Sequence, residues 1–310
     1  VTNLIIDSNN VSSISYFKAK SMAHMRGNLT EDEAGRQRLS NFSTYLYFQM
    51  IHSYISQFNP SKMYVVWDGP SGSTWRKAAY PDYKAGRDHS GDNFYRQFQG
   101  SCEQERLILS AYPIYQLQVD EAEADDLIYS VCKILSADAK NDQIVVSGDG
   151  DMLQLPQHFS NTKIWNPRNK QFQDTPAYDV ILYKSITGDG SDRITGIPGF
   201  GAKRGLKLME DMKNGSAKVT DEQLAIIAKF RNLVDLSANP FEEKNRNSII
   251  ELLDKTKITL DQDRIQQLFV RYELNGFMKR WAYIRKLLTQ LETEAANGGA
   301  TESESDQFRC

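Results

Sequence analysis

Apolar residues recur along this chain in two rhythms. Short, continuous, β-branched runs at residues 4–6, 63–67 and 143–146 predict strands buried on both faces, as parallel strands are. Longer segments at residues 39–58, 94–110 and 124–135 place apolar positions three and four apart and predict the helices between them. Strand, helix, strand in that alternation predicts an α/β fold: a doubly wound, mostly parallel sheet. The stretch from Leu39 to Ser61 carries no charge, but it is studded with Ser, Asn, Gln and His. Its apolar members, Phe42, Tyr45, Leu46, Ile51, Tyr54, Ile55 and Phe58, keep helical spacing, which predicts a buried helix and no membrane span.

Beyond residue 184 the rhythm changes. A glycine-rich segment at 188–205 leads into helical patterns alone, at 205–212, 221–233, 247–253, 261–270 and 276–291. Residues 292–310 hold almost no core formers and read as a disordered acidic tail. The expected organisation is an α/β core over 1–184 that includes a helical arch at 75–106, an all-helical part over 185–291, and the tail. A chain of 310 residues with 40% hydrophobic and 25% charged residues can fill such a core and is too large for one small binding module. No charged opening followed by an apolar run marks a signal peptide, and Cys102, Cys132 and Cys310 follow no metal or disulfide spacing. The expected setting is therefore intracellular and reducing, the cytoplasm. The net charge of −3 hides an asymmetry, because from Glu292 onward the chain has five acids and one base, which leaves the body at +1. A body whose acids gather in one cluster would still attract a polyanion.

The acids do fall in a pattern. Asp7 follows the first predicted strand, Asp68 the second, and Asp149 and Asp151 the third. The carboxyl ends of parallel strands share one edge, where ligands bind, so three strands deliver acids to one rim. A single strand ending in Asp is ordinary helix capping; three together are not. Glu123, Asp125 and Asp126 stand where the helix 124–135 begins, and Asp189 and Asp192 stand in the glycine-rich segment. Like charges gathered this way repel unless a cation neutralises them. Oxygen ligands without a Cys or His pattern favour Mg²⁺, with Mn²⁺ as a substitute, and so many carboxylates suit two ions roughly 3.5–4 Å apart that activate water against a phosphodiester.

Cations lie close by. Trp75, Arg76, Lys77, Tyr80, Tyr83, Lys84 and Arg87 interleave aromatics with positive charge just after Asp68, as in a segment that stacks bases and grips phosphates. Gly196, Gly199, Gly201, Lys203, Arg204 and Gly205 form a tight turn opening a helix, whose N–H groups and cations suit a DNA backbone read without base contacts. The expected DNA contacts are Arg76, Lys77, Gly199, Gly201, Lys203 and Arg204.

In order and spacing, Asp7, Trp67-Asp68-Gly69, Tyr83-Lys84-Ala85-Gly86-Arg87, Glu123-Ala124-Asp125-Asp126, Ser147-Gly148-Asp149-Gly150-Asp151, Gly188-Asp189-Gly190-Ser191-Asp192 and the turn 196–203 resemble the flap-endonuclease and 5′-exonuclease family. The spacing of Ser71-Gly72-Ser73-Thr74-Trp75-Arg76-Lys77 and the helical last third look most like its bacteriophage branch, which includes phage ribonuclease H. The resemblance implies a PIN-like nuclease core and a structure-specific 5′ nuclease that removes 5′ flaps and RNA primers in replication, leaving 5′-phosphates. It implies that Asp7, Asp68, Glu123 and Asp125 surround a first metal ion. Asp149, Asp151 and Asp192 would hold a second, with Asp126 and Asp189 nearby or acting through water. Lys84 and Arg87 match the arch cations that polarise the scissile phosphate, and the segment 188–212 matches a helix–three-turn–helix that grips duplex DNA and often holds K⁺. The implied partners are DNA with a 5′ flap, nick or fork, and RNA–DNA primer ends; a single-strand-binding protein or polymerase clamp would suit the same setting.

The sequence departs from the family in two places. Arg193 and Thr195 stand where the family usually has Asn and Pro, and the polar stretch 18–33, expected as a loop near the DNA junction, is atypical. Other readings share parts of the pattern. A PIN-class endoribonuclease has the acid rim but is typically shorter and lacks the cations and the glycine turn. A non-catalytic junction-binding protein would keep the fold, yet every expected acid is present. A phosphatase with a strand-end nucleophile would need a second Asp where this chain has Asn9.

Overall fold

Strand β1 (Thr2–Asp7) runs straight into α1 (Ser8–Met25), with Asp7 serving as both the last strand residue and the helix N-cap. The structure, a computed structural model, describes residues 1–26, 32–86 and 93–298, with the backbone alone at 93–95 and 298. Helix α2 (Glu33–Phe58) follows, ended by Asn59 in the left-handed conformation and by Pro60, and then β2 (Lys62–Val66). Next come α3 (Thr74–Ala79), α4 (Asn93–Leu109), β3 (Tyr115–Leu117), α5 (Ala124–Leu135) and β4 (Asp142–Val146). A 3₁₀ turn, Gly150–Gln154, precedes α6 (Leu155–His158), β5 (Thr162–Asn166) and β6 (Gln171–Gln173). Helices then continue alone: α7 (Val180–Thr187), α8 (Ala202–Lys213), α9 (Asp221–Val234), α10 (Glu242–Lys255), α11 (Gln262–Arg271), α12 (Asn275–Met278) and α13 (Trp281–Gly298).

The sheet has the order β3-β2-β1-β4-β5-β6, parallel except for the β6 edge. It is mixed, mostly parallel and doubly wound, as the alternation predicts. Strand residues alternate between two cores because side chains alternate across a strand. Leu4, Ile6, Met63, Val65 and Trp67 pack toward α2 and α4, while Ile5, Tyr64, Val66 and Val145 pack toward α5. Burying each such side chain contributes about 2 kcal/mol, which is why residues 4–6, 63–66 and 144–146 of the three central strands are all apolar. The chain winds outward from β1 in one direction through β2 and β3, then in the other through β4 and β5. The carboxyl ends of β1 and β4 therefore flank the topological switch point, where open α/β sheets bind ligands.

Several expectations need correction. Residues 18–25 are not a loop: α1 continues through Met25, because Tyr16 and Ala19 pack against Leu39 and Leu46 of α2. The remainder of that stretch, residues 27–31, lies outside the described residues, apart from Asp32, which caps α2, and Glu33, its first residue. The segment expected as a disordered tail from 292 starts as helix, since α13 carries Leu291 into the core and runs on to Gly298; residues 299–310 lie outside the described residues. The helices after residue 184 do not form one separate packing unit. Ile249 of α10 joins the α5 core, and Ile265, Phe269, Phe277 and Leu288 join the α2 core. Among the described residues, no helix is long and apolar enough to cross a membrane.

Candidate metal centre

Each strand end hands its acid to a helix start. Asp7 Oδ1 accepts from Asn10 N (3.1 Å) at the head of α1, and Asp149 Oδ1 accepts from Asp151 N (2.9 Å) at the head of the 3₁₀ turn. Asp68, after β2, places its Oδ1 against Ala124 N (2.8 Å) at the head of α5. Helix N-termini carry positive potential and unpaired N–H groups, so this rim can hold acids that the interior would otherwise reject. Ser147 links two of them: its hydroxyl donates to Asp7 Oδ2 (2.6 Å) and accepts from Asp149 N (3.1 Å).

Among the described residues, Asp125, Asp149 and Asp151 bring one carboxylate oxygen each within 4.8 Å of the others. Asp7 and Asp68 adjoin this trio electrically. Burial, opposed by Ser147 and Asn10 and reinforced by the charges of Asp68 and Asp149, pushes Asp7 up to about 7. Burial and the charges of Asp149 and Asp7 push Asp125 well above the usual carboxylate range. Burial raises Asp151 to about 6 against the pull of Lys184, and burial raises Asp68 too. Half-buried carboxylates that crowd and repel one another around the buried Asp7 are the donor set a hard divalent ion fits. Asp192 lines the same narrow cleft together with Asp125, Asp151, Asp189, Arg76 and Tyr83.

Two expected ligands are differently engaged. Asp126 is 1% exposed, and both its oxygens accept from Arg76 (2.6 and 2.9 Å), which removes it from the acids that line the cleft. Glu123 accepts from Arg76 (2.6 Å), Tyr83 OH (2.9 Å) and Lys84 Nζ (2.5 Å). Burial alone would raise Glu123, but Lys84 and Arg76 outweigh it and hold the carboxyl below its usual value. Arg76 was expected to meet DNA; at 2% exposure it is instead an internal clamp on Glu123 and Asp126, capped by Leu233 O. Arg76→Met is expected to cost about 3 kcal/mol of stability, because buried Asp126 loses its cation and Glu123 loses one of its three donors; a urea titration of the metal-free protein checks it, and an unchanged midpoint would refute the clamp.

Five of the six expected DNA contacts are exposed. Lys77 and Lys203 are exposed, and Arg204 is exposed with its Nη1 on Gly199 O (3.1 Å). Gly199 and Gly201 are exposed on the turn before α8. The turn itself is closed by Gly188 (φ 80°) and Gly196 (φ 64°), where a Cβ on Gly196 would lie 2.4 Å from Gly188 N. Arg193 takes φ 58°, a left-handed conformation that Asn adopts more easily, which gives the departure from the family its place in the structure. Lys84 also sits at positive φ (51°), its N–H held by Asp192 O (3.0 Å), so the loop bearing Asp192 anchors the loop bearing Lys84. Arg87 lies outside the described residues.

Sequence reasoning did not single out Lys184. It projects from α7 between Asp151 and Asp189, pairing with both (2.8 Å to Asp189), and with Ser191 it holds Asp189 down near 2 although burial alone would raise that acid. The available signal was weak, a cation five residues before Asp189 in a segment where the sequence predicts no element.

Residues 2–181, more than half of the chain, match the 5′-3′ exonuclease N-terminal resolvase-like domain. The chain is 29% identical over 219 residues to DNA polymerase I of Streptococcus pneumoniae, covering 62% of this chain and 24% of that one. It is 30% identical over 161 residues to flap endonuclease Xni of Shewanella piezotolerans, covering 49% and 59%. It thus spans about a quarter of the one relative and about three-fifths of the other. A bacteriophage T5 flap endonuclease, solved as a pseudo-enzyme–product complex with DNA and metal ions, shares the fold: TM-score 0.59, 17% identity, 82% of this chain and 100% of that chain. With the acids of β1, β2, β4 and α5 meeting at one sheet edge and that domain matched from the first strand to the start of α7, this chain belongs to the 5′-3′ exonuclease family.

Proposed function

We propose that this protein is a structure-specific 5′ nuclease, a 5′-3′ exonuclease and flap endonuclease, that depends on Mg²⁺ and acts on 5′ flaps, nicks, forks and RNA-primed ends. The observation that carries the reading is the approach of Asp125, Asp149 and Asp151 within 4.8 Å beside Asp7. Divalent ions held there would supply activated water and neutralise the phosphate under attack. Asp7, Asp68 and Asp125, with Glu123 behind them, would form one half of the site; Asp149, Asp151 and Asp192 would form the other. Manganese would substitute for magnesium, and K⁺ would bind the carbonyls of the turn before α8.

The chain's own residues have separate tasks. Lys84 reaches toward the acids from the arch side, and Glu123 holds its ammonium in place (2.5 Å). Burial opposes the charge, but Glu123 and Asp192 more than restore it, so Lys84 stays cationic and can hold a phosphate oxygen beside the carboxylates. Arg87 would act from the same arch. Lys77, Lys203 and Arg204 would track the backbone of the duplex, giving an affinity that falls steeply with salt. A single-strand-binding protein or a sliding clamp would be the protein partner. The match to an exonuclease domain favours this reading over a PIN-class endoribonuclease and over a non-catalytic junction binder.

The test is a set of 5′-labelled nicked, gapped, flapped and RNA-primed duplexes in Mg²⁺, with products sized on a gel. Cleavage near the junction supports the proposal; no cleavage of any of them, or equal cleavage of unstructured RNA, defeats it. Lys84→Ala is expected to slow single-turnover cutting about a hundredfold, the loss typical of one donor aimed at developing charge. An unchanged rate would remove Lys84 from the chemistry.

A further inference from the structure

The first turn of α1 presents two adjacent asparagines that reach in opposite directions along the sheet edge. Asn9 Oδ1 accepts from Asp68 N (3.0 Å), at the end of β2. Asn10 Oδ1 accepts from Gly148 N (2.9 Å), at the end of β4 and one residue before Asp149. β2 and β4 are the two neighbours of β1, so one dipeptide, fixed to β1 through Asp7, spans all three acid-bearing strand ends. The approach of Asn10 to β4 is close enough that a Cβ at position 148 would lie 3.2 Å from its Oδ1. A glycine there leaves room for the contact.

Besides the Ser147–Asp7 bond, these two asparagine contacts are what set the strand ends against one another at this level among the described residues. Ladder pairing ties Asp7 to Val66 and Ile6 to Val146, and Ser147 N still bonds Trp165 O, so Asp68, Gly148 and Asp149 leave the ladder before the carboxylates converge. Their position then depends on side-chain bonds. Asp68 has its N–H on Asn9, its carbonyl on Gln118 Nε2 (2.7 Å) and its carboxylate on Ala124 N. The Asp149 side is held by Asn10 through Gly148 and by Ser147.

We propose that Asn9 and Asn10 are positioning residues that set the two halves of the metal site separately: Asn9 the Asp68 half, Asn10 the Asp149–Asp151 half. The inference rests on the metal-site reading above and adds a division of labour to it. Partners that orient a ligand typically change metal affinity by about 10–100-fold when removed, and the effect here should be confined to one ion.

Calorimetric titration of the full chain with Mn²⁺, without DNA, tests this. Asp151→Asn leaves the Asp68 half as the reporter, and Asp68→Asn leaves the other half. In the Asp151→Asn protein, Asn9→Ala should weaken the remaining ion about tenfold and Asn10→Ala less than twofold; in the Asp68→Asn protein the order should reverse. Asn9→Asp and Asn10→Asp keep the acceptor and should not weaken binding. Thermal melts of the metal-free variants separate a loss of folding from a loss of positioning. Equal weakening of both halves by either alanine, or no weakening by both, overturns the proposal. Absence of Mn²⁺ binding by the wild-type chain would overturn the metal-site reading itself, a distinct outcome.

Discussion

Asp149→Asn should lower the single-turnover cleavage of a 5′-flap substrate about a thousandfold or more, a rise of roughly 4 kcal/mol in the barrier, while making the metal-free protein more stable. The two effects have one origin. Asp149 is a member of the trio within 4.8 Å, and its charge raises both Asp7 and Asp125. Asn preserves the local structure: its side-chain oxygen can still accept from Asp151 N as an N-cap, which Asn does as well as Asp. What disappears is a charge that repels its neighbours in the absence of a cation and binds the cation in its presence. The expected gain in stability is about 1–2 kcal/mol, of the size seen when a site tuned for function is relaxed. Denaturant unfolding in EDTA and rapid-quench cleavage in Mg²⁺ measure the two sides. A variant that cuts at the wild-type rate would refute the second half of the site, and one that is inactive because it is less stable would show that Asp149 serves the fold.

How much of this was legible in the sequence depends on the range of the interaction. Strands of hydrophobic, β-branched residues and the capped α5 announce themselves locally, and α5 spans 124–135 as the periodicity predicts. The short strands β3, β5 and β6 do not, because three to five residues of mixed polarity such as Tyr115-Gln116-Leu117 carry too little pattern and are made strands by their neighbours. The same holds for the first half of α1, whose Ser-rich sequence has weak helical preference but packs between α2 and α4. At the site, the acids were readable because each follows a strand, and a parallel sheet puts strand ends together. Their partners were not. Arg76 looked like a surface cation in a basic run, and only packing against Leu233 and Asp126, far away in the chain, turns it inward. Lys184, Ser147, Asn9 and Asn10 likewise acquire their tasks from contacts across strands.

Glu105 supplies the second large effect, and it concerns stability alone. This carboxyl on α4 is 0% exposed, with Ser12 of α1 donating to one oxygen and no partner on Oε1. Burial outweighs Ser12 and Arg106 and pushes it up to about 8. The other ionisable groups around it are Tyr47 of α2 and Cys102 of α4, both driven well above their usual range, so Glu105 is the group of this cluster that titrates near neutrality. A carboxyl raised in the folded state keeps its proton there while the unfolded chain loses it. Its contribution is therefore full below about pH 4.5 and is lost as pH rises through about 8, at about 1.4 kcal/mol per pH unit. Asp7 and Asp151 act in the same direction, so the wild-type slope alone does not isolate Glu105. The difference from Glu105→Gln does. Gln cannot ionise, but it introduces amide protons that the pocket does not satisfy, so the variant should be less stable at pH 5 by about 1–2 kcal/mol. Above pH 8 it should be the more stable protein, and the difference should swing by on the order of 4 kcal/mol between the two. Urea unfolding at half-unit steps from pH 5 to 9 measures it. A difference that does not vary with pH would mean that Glu105 is ionised in the folded protein at pH 5, and the α1–α4 contact would then have to be rebuilt around a buried charge.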